Sequence, residues 1–121
     1  MSRSFAWQLV AIYRSIPRQA AERLGPQKAF EWLRAYSPYH RVADGTPYPA
    51  VIFTTAEGDT RVDPMHARKM AARMQAATSS GRPVLLRVER KAGHGAGKPL
   101  ALQIEEITDE WTFLLWQLGL E

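Results

Sequence analysis

The feature that most constrains the fold is a pair of short apolar runs separated by a helix-forming segment. The runs are AVIFTT at residues 50–55 and VLLRVE at residues 84–89. A short, continuous run of β-branched and other apolar residues is typical of a strand buried on both faces of a parallel sheet. The segment between them, MHARKMAARMQAA at residues 65–77, contains strong helix formers throughout. Because two strands joined through a helix usually lie parallel in one sheet, the sequence predicts an α/β fold.

Helical patterns also precede and follow this strand-helix-strand unit. Apolar spacing predicts helices over residues 5–23 and 27–35, and the Ser-Pro, Asp-Gly and Thr-Pro pairs predict a loop over residues 36–49. Pro99 is expected to open a final helix over residues 100–118. The apolar stripe expected to face the core from this helix is Ile104, Ile107, Trp111, Leu114, Leu115 and Leu118. The inner side of the middle helix is expected to be Met65, Met70, Ala71, Met74 and Ala77.

The composition excludes several classes of protein. The chain has 121 residues, 45% of them hydrophobic and 23% charged, which is typical of one soluble globular domain. No apolar segment approaches the roughly 20 residues that span a bilayer. The absence of cysteine excludes disulfides, thiolate metal sites and a cysteine nucleophile. Of the net charge of +4, residues 1–24 hold +3, and the remaining basic residues are mixed with acidic ones, so we expect no nucleic-acid partner. We expect a cytoplasmic protein, with the periplasm as the alternative.

Two loops at the carboxyl ends of the predicted strands carry the candidate catalytic residues, because sites in parallel sheets form there. Asp59 follows the first strand in AEGDTRVDP, and His94 follows the second in KAGHGAGKP. Neighbouring strands should bring these loops together. We therefore predict that the Asp59 carboxylate fixes the tautomer and orientation of the His94 imidazole and prepares it as a general base. Arg61, two residues after Asp59, is a candidate substrate-binding residue.

Other interpretations of these loops fit less well. GHGAGKP departs from a phosphate-binding loop at Ala92, where a glycine is needed, and at Pro99, where a serine or threonine is needed. EGDTRVD places Arg61 where a calcium-binding loop needs an oxygen ligand. A weaker alternative is a metal cluster formed by Glu57, Asp59 and Asp63 of the first loop with His94 of the second. We expect no metal and no cofactor. We expect a hydrogen-bonded packing role for His40, and we expect His66 to cap the helix, pack against it or face solvent.

Three segments of the chain together resemble a known family. FEWLRAYSPYHRV, YPAVIFTTAEGDTRVDPMHARKMAARMQAA and GRPVLLRVERKAGHGAGKP, in that order, resemble the C-terminal part of the catalytic domain of the prolyl oligopeptidase family of serine peptidases. The resemblance covers approximately residues 28–120. It implies a partial α/β-hydrolase fold, a triad of serine, aspartate and histidine, and, in the complete enzyme, usually a β-propeller that restricts access to peptides.

The resemblance assigns roles to individual residues. Asp59 is similar to the triad aspartate, although Asp59-Thr60-Arg61-Val62 stands where the family commonly has Asp-Asp-Arg-Val. His94 resembles the triad histidine, and Arg61 resembles the arginine that contacts the substrate backbone. The chain departs from the family at the nucleophile, because the family carries its catalytic serine in Gly-x-Ser-x-Gly. None of the six serines of this chain has those neighbours.

Three hypotheses about function follow from these observations. The first is a piece of a prolyl oligopeptidase-type peptidase, with residues 1–26 as a helical segment without a family match and residues 27–121 as the catalytic part. The parent enzyme would cleave short peptides after proline, and this chain alone would be inactive for lack of the serine. The second is a split enzyme completed by a partner chain that carries the nucleophile. The third is a non-enzymatic module whose basic N-terminal helix binds an acidic surface or membrane.

Overall fold

A computed structural model of the chain describes residues 23, 25–94 and 98–120. The described elements are α1 (Pro26–Tyr36), α2 (Pro38–Arg41), β1 (Val51–Ala56), α3 (Met65–Ala77), β2 (Val84–Glu89) and α4 (Leu100–Leu118). They group into two compact units that divide between Arg41 and Val42. Apart from the helical residue Arg23, the helix predicted over residues 5–23 lies outside the described residues. The proposed membrane-binding role of that helix and the domain boundary after residue 26 stay predictions.

The first unit contains α1 and α2. The inward side of α1 carries Ala29 and Phe30, both buried. The helix α2 corrects the predicted loop over residues 36–49, because residues 38–41 are helical. The reason is local, since Pro38 opens α2 with a backbone angle already suited to the first helical position. The turn is held by a hydrogen bond from the Arg41 Nε to the carbonyl oxygen of Ala35, 2.8 Å long.

The second unit contains the strand-helix-strand arrangement that the sequence predicts. β1 and β2 pair in parallel, with Val51 opposite Val84 at one end and Ala56 opposite Glu89 at the other. The helix α3 connects the two strands. This pairing confirms the α/β prediction, and it places the loops that follow both strands at the same edge of the sheet.

One face of this sheet is covered by α3. Its buried cluster consists of Val42, Met74, Ala77 and Val84, with Tyr48, Val51, Phe53 and Met70 packed around it. The predicted inner side of α3 is confirmed for Ala71, Met74 and Ala77. It is wrong for Met65, which is 40% exposed. Met65 precedes Met74 by nine residues, or two and a half helical turns, and therefore lies on the opposite side of α3.

The other face of the sheet is covered less completely than the sequence predicts. Side chains alternate along a strand, so Thr54, Leu85 and Arg87 point away from α3. Thr54 is exposed and Leu85 is 40% exposed. The prediction that AVIFTT is buried on both faces is therefore wrong at Thr54, because α3 covers one face and α4 leaves part of the other open.

The final helix, α4, is present as predicted, but the side that faces the sheet is not the apolar stripe. Arg87 Nε donates to Asp109 Oδ2 at 2.7 Å, which ties the acidic side of α4 to β2. Phe113 is the buried residue of this helix. The stripe expected to be in the core is exposed throughout, at Ile104, Ile107, Trp111, Leu114, Leu115 and Leu118. The expectation fails because α4 contacts β2 through the side that carries Asp109, which leaves the apolar stripe on the outer side of the helix. No described helix is long and apolar enough to cross a membrane.

Candidate active site

The Asp59 side chain is held by the turn that follows β1. Its Oδ1 accepts hydrogen bonds from the backbone N–H groups of Arg61, at 2.9 Å, and Val62, at 2.8 Å. Aspartate commonly closes turns in this way through nearby backbone donors. The side chain is only 10% exposed. One carboxylate oxygen is therefore occupied locally, which leaves Oδ2 to meet the second loop.

The second loop brings His94 to that oxygen. The distance between His94 Nδ1 and Asp59 Oδ2 is 2.7 Å, although the two residues are 35 positions apart. Because an ionised carboxylate only accepts hydrogen bonds, Nδ1 carries the proton and Nε2 of the neutral ring keeps a free lone pair. Nε2 has no hydrogen-bond partner among the described residues, and the side chain is 40% exposed. The ring is therefore fixed on one side and accessible on the other.

The environment of Asp59 keeps its carboxylate ionised. The surroundings together lower the pKa of this carboxyl from 3.8 to about 2, and the hydrogen bond from the Val62 N–H is the strongest influence. Burial opposes this shift, whereas the hydrogen bonds from His94 and Arg61 add to it. At neutral pH the pair can therefore combine a negatively charged acceptor with an imidazole that has a defined tautomer.

Backbone hydrogen bonds join the two loops beyond the ends of the strands. The N–H of Glu57 donates to the carbonyl oxygen of Glu89 at 2.7 Å, and the N–H of Gly58 donates to that of Ala92 at 3.3 Å. The buried Glu89 carboxylate in turn accepts the Lys91 N–H at 3.0 Å. That hydrogen bond is the main cause of the lowered pKa of Glu89, which burial opposes. The pairing of the strands thus continues into the site.

An open cleft of about 400 Å³ lies beside the pair. It is lined by Thr54 and Thr55 at the end of β1, by Asp59 and His94, and by residues of α4 and the segment before it. Within the described lining, Lys98 Nζ donates to Glu106 Oε2 at 2.6 Å, which fastens the start of α4 to the preceding segment. The cleft leaves open space beside the Asp59–His94 pair.

The other predicted site residues have different positions. Arg61 is exposed, and its guanidinium has no hydrogen-bond or ion-pair partner in the part of the chain that the structure describes. Glu57 accepts a hydrogen bond from Arg68 at 3.2 Å, and Asp63 accepts the Met65 N–H at the start of α3. Across residues 23, 25–94 and 98–120, no group of three or more histidine, aspartate or glutamate side chains could hold a metal ion.

The remaining histidines have other surroundings. His40 Nδ1 is 2.9 Å from Ser37 Oγ, and its ring meets Tyr39 edge-on in the first unit. His66 is exposed at the start of α3. Two features of the site were not predicted from the sequence, namely the buried Glu89 and the close approach of Gly58 to the second loop. Only the flexible composition around His94 could have indicated that a close approach was needed there.

Comparison with known proteins supports a single family. The family model described as the prolyl oligopeptidase family matches residues 9–121. The prolyl endopeptidase of Elizabethkingia meningoseptica is 39% identical over 95 residues, which are 78% of this chain and 14% of that protein. Prolyl oligopeptidase A of Amanita bisporigera is 39% identical over 92 residues, covering 75% of this chain and 12% of that protein.

Solved structures agree with these matches. One, from a study of two prolyl endopeptidases, has a TM-score of 0.71 and 43% identity, and covers 77% of this chain and 14% of that chain. Another, prolyl oligopeptidase B from Galerina marginata bound to a 25mer macrocyclization substrate, has a TM-score of 0.70 and 30% identity, and covers 93% and 16% of the two chains. The chain therefore corresponds to a partial α/β-hydrolase domain and spans about one seventh of the length of these relatives.

Proposed function

Because the chain belongs to the prolyl oligopeptidase family, we propose that it provides the aspartate and the histidine of a serine-peptidase triad. The observation that carries this proposal is the 2.7 Å hydrogen bond between His94 Nδ1 and Asp59 Oδ2. In this role His94 Nε2 takes the proton of a serine hydroxyl and later gives it to the leaving amine. Asp59 holds the imidazole in place and stabilises the imidazolium that forms. The substrate class is short peptides cleaved after proline, in keeping with the names of the relatives.

In this proposal Arg61 binds a substrate carbonyl group. Its exposed guanidinium is available for a ligand, and its backbone N–H donates to the same Asp59 carboxylate that orients His94. The turn therefore links the backbone position of Arg61 to the catalytic pair. A planar guanidinium with several N–H donors suits the binding of peptide carbonyl oxygens.

The nucleophile in this proposal comes from outside the chain. Ser79 and Ser80 precede β2 whereas His94 follows it, and a six-residue strand spans about 20 Å. Ser37 lies between α1 and α2, where its Oγ is 2.9 Å from His40 Nδ1. The remaining three serines precede residue 16 and lie outside the described residues, and no serine of the chain stands in Gly-x-Ser-x-Gly. Without an attacking oxygen the base has no acylation step to promote, so the chain alone is inactive in this proposal.

The test is incubation of the purified chain with a chromogenic prolyl peptide. We expect the same background rate for the unsubstituted chain and for His94→Ala. The matched control is His66→Ala, which removes an exposed histidine at the start of α3. Turnover that is lost in His94→Ala and kept in His66→Ala would contradict the placement of the nucleophile on another chain.

A second candidate function, a subunit of a split peptidase, is favoured by the exposed apolar surface. Parallel sheets are normally covered on both faces, but Leu85 is 40% exposed on the face opposite α3. The α4 stripe adds a row of large exposed side chains, with Ile107 at 53% and Trp111 at 59%. Exposed apolar surface of this extent is typical of a site that binds another protein. The proposed partner is a polypeptide that carries the Gly-x-Ser-x-Gly turn and the neighbouring strands.

Reconstitution tests this second candidate. The chain is mixed with a polypeptide that contains the serine-bearing part of a related prolyl endopeptidase, and hydrolysis of the prolyl peptide is measured. We expect activity that requires His94 and that Ile107→Asp abolishes, whereas Glu105→Gln, an exposed polar position on the same helix, leaves it unchanged. Hydrolysis that is equally fast with Ile107→Asp would exclude the α4 stripe as the docking surface.

A further inference from the structure

Gly58 and Gly93 lie in contact directly before the two members of the catalytic pair. Gly58 precedes Asp59 and Gly93 precedes His94. A Cβ atom built on Gly58 would stand 3.1 Å from the carbonyl oxygen of Ala92, and one built on Gly93 would stand 3.2 Å from that of Gly58. The two loops thus approach each other at glycines, where the absence of a side chain leaves room for the contact.

We propose that Gly58 and Gly93 are positioning residues, which let the two loops come close enough for the Asp59 carboxylate to reach the His94 ring. The inference rests on the proposed function for its catalytic meaning, but the geometry it concerns can be measured without any reaction. Neither glycine is among those with a positive φ, so an alanine can adopt the same backbone conformation at either position. Crowding by the Cβ is therefore the effect that a substitution would introduce.

The crowding cannot be relieved by rotating a side chain. The atoms that a new Cβ would meet first are backbone carbonyl oxygens, and one of them, that of Ala92, accepts the Gly58 N–H at 3.3 Å. A backbone segment must therefore move by a few tenths of an ångström. The 2.7 Å bond between His94 and Asp59 begins one residue further along both loops, so the movement acts on it directly. A charge-assisted hydrogen bond of this length weakens as the two atoms separate.

The experiment is NMR spectroscopy of the complete, isotope-labelled chain and its Gly58→Ala and Gly93→Ala variants. The ring proton on His94 Nδ1 and the ring nitrogen shifts are recorded near pH 8.5, above the ordinary histidine pKa of about 6.5. The Asp59 carboxyl carbon is titrated separately in acid. Thr60→Ala is the matched control, because it changes an exposed residue of the same loop without adding a Cβ.

We expect a protected Nδ1 proton and a single tautomer in the unsubstituted chain and in Thr60→Ala. Both glycine variants should lose that proton signal and show a mixture of tautomers. The pKa of Asp59 should rise from about 2 toward 3.8 without reaching it, because Arg61 and Val62 still donate to Oδ1.

Amide spectra of each variant establish that the fold is retained. If Gly58→Ala does not fold, the test is made with Gly93→Ala. Folded variants that keep the Nδ1 proton, the single tautomer and the low Asp59 pKa would overturn the proposal. The proposal would also be overturned if the Gly58 amide proton of the unsubstituted chain exchanged with solvent as fast as an unprotected amide. Failure of the proposed peptidase function would appear instead as absent hydrolysis in the reconstituted enzyme, with these NMR signals intact.

Discussion

Alanine substitutions of two aromatic residues of α4 can show which side of this helix packs on the sheet. Phe113 is 8% exposed and Trp111, two residues earlier, is 59% exposed. Substitution of either residue by alanine introduces the strongest helix former, so helix propensity opposes neither change. The two variants therefore differ mainly in the apolar area that each removes from the folded protein.

The expected losses follow from the buried fractions. A buried aromatic side chain removes about 150–250 Å² from water, and each Å² contributes about 25 cal/mol. For Phe113, with more than nine tenths of its area buried, the loss of unfolding free energy is about 4–5 kcal/mol. For Trp111, with about two fifths buried, it is about 2.5 kcal/mol. Phe113→Ala should therefore be the more destabilising substitution although phenylalanine is the smaller side chain.

Urea unfolding of both variants at 25 °C, followed by far-ultraviolet circular dichroism, measures the difference. Circular dichroism is preferable to fluorescence because Trp111→Ala removes a fluorophore. Similar denaturant slopes in the two variants would show that the same structure unfolds in each case. A loss for Trp111→Ala that equals or exceeds that for Phe113→Ala would refute the reasoning and place the apolar stripe against the sheet.

Further predictions concern charge and backbone conformation. The lowered pKa of Asp59, about 2, means that its ionised form stabilises the fold above pH 4, and that this contribution disappears as the pH falls through 2. In urea unfolding curves, the stability difference between the unsubstituted chain and Asp59→Asn should therefore shrink from pH 4 to pH 2; a constant difference would contradict the assigned pKa. Arg87→Met removes the charge-assisted hydrogen bond to Asp109 and should lower the unfolding free energy by about 1.5 kcal/mol, with Lys28→Met, an exposed position, as the control. Gly119 ends α4 with a φ of 68°, so Gly119→Ala should cost about 1–2 kcal/mol in the same measurement; an unchanged midpoint would argue against this helix end.

The amino-acid sequence determined the elements of the second unit and the location of the candidate site. The apolar runs that form β1 and β2 and the helix formers of α3 are local patterns, and the helix between the strands favours parallel pairing. That pairing places the loops after both strands at one edge of the sheet. The proximity of Asp59 and His94 could therefore be predicted without coordinates.

Tertiary structure alone decided which surfaces are buried. A helical stripe shows that one side of α4 is apolar, but it cannot show whether a partner surface exists, and here the acidic side with Asp109 faces β2. The approach of Gly58 to Gly93 and the burial of Glu89 likewise depend on residues distant in the chain. Local periodicity reflects the backbone geometry of a few neighbouring residues, whereas burial depends on what the whole fold brings against each face.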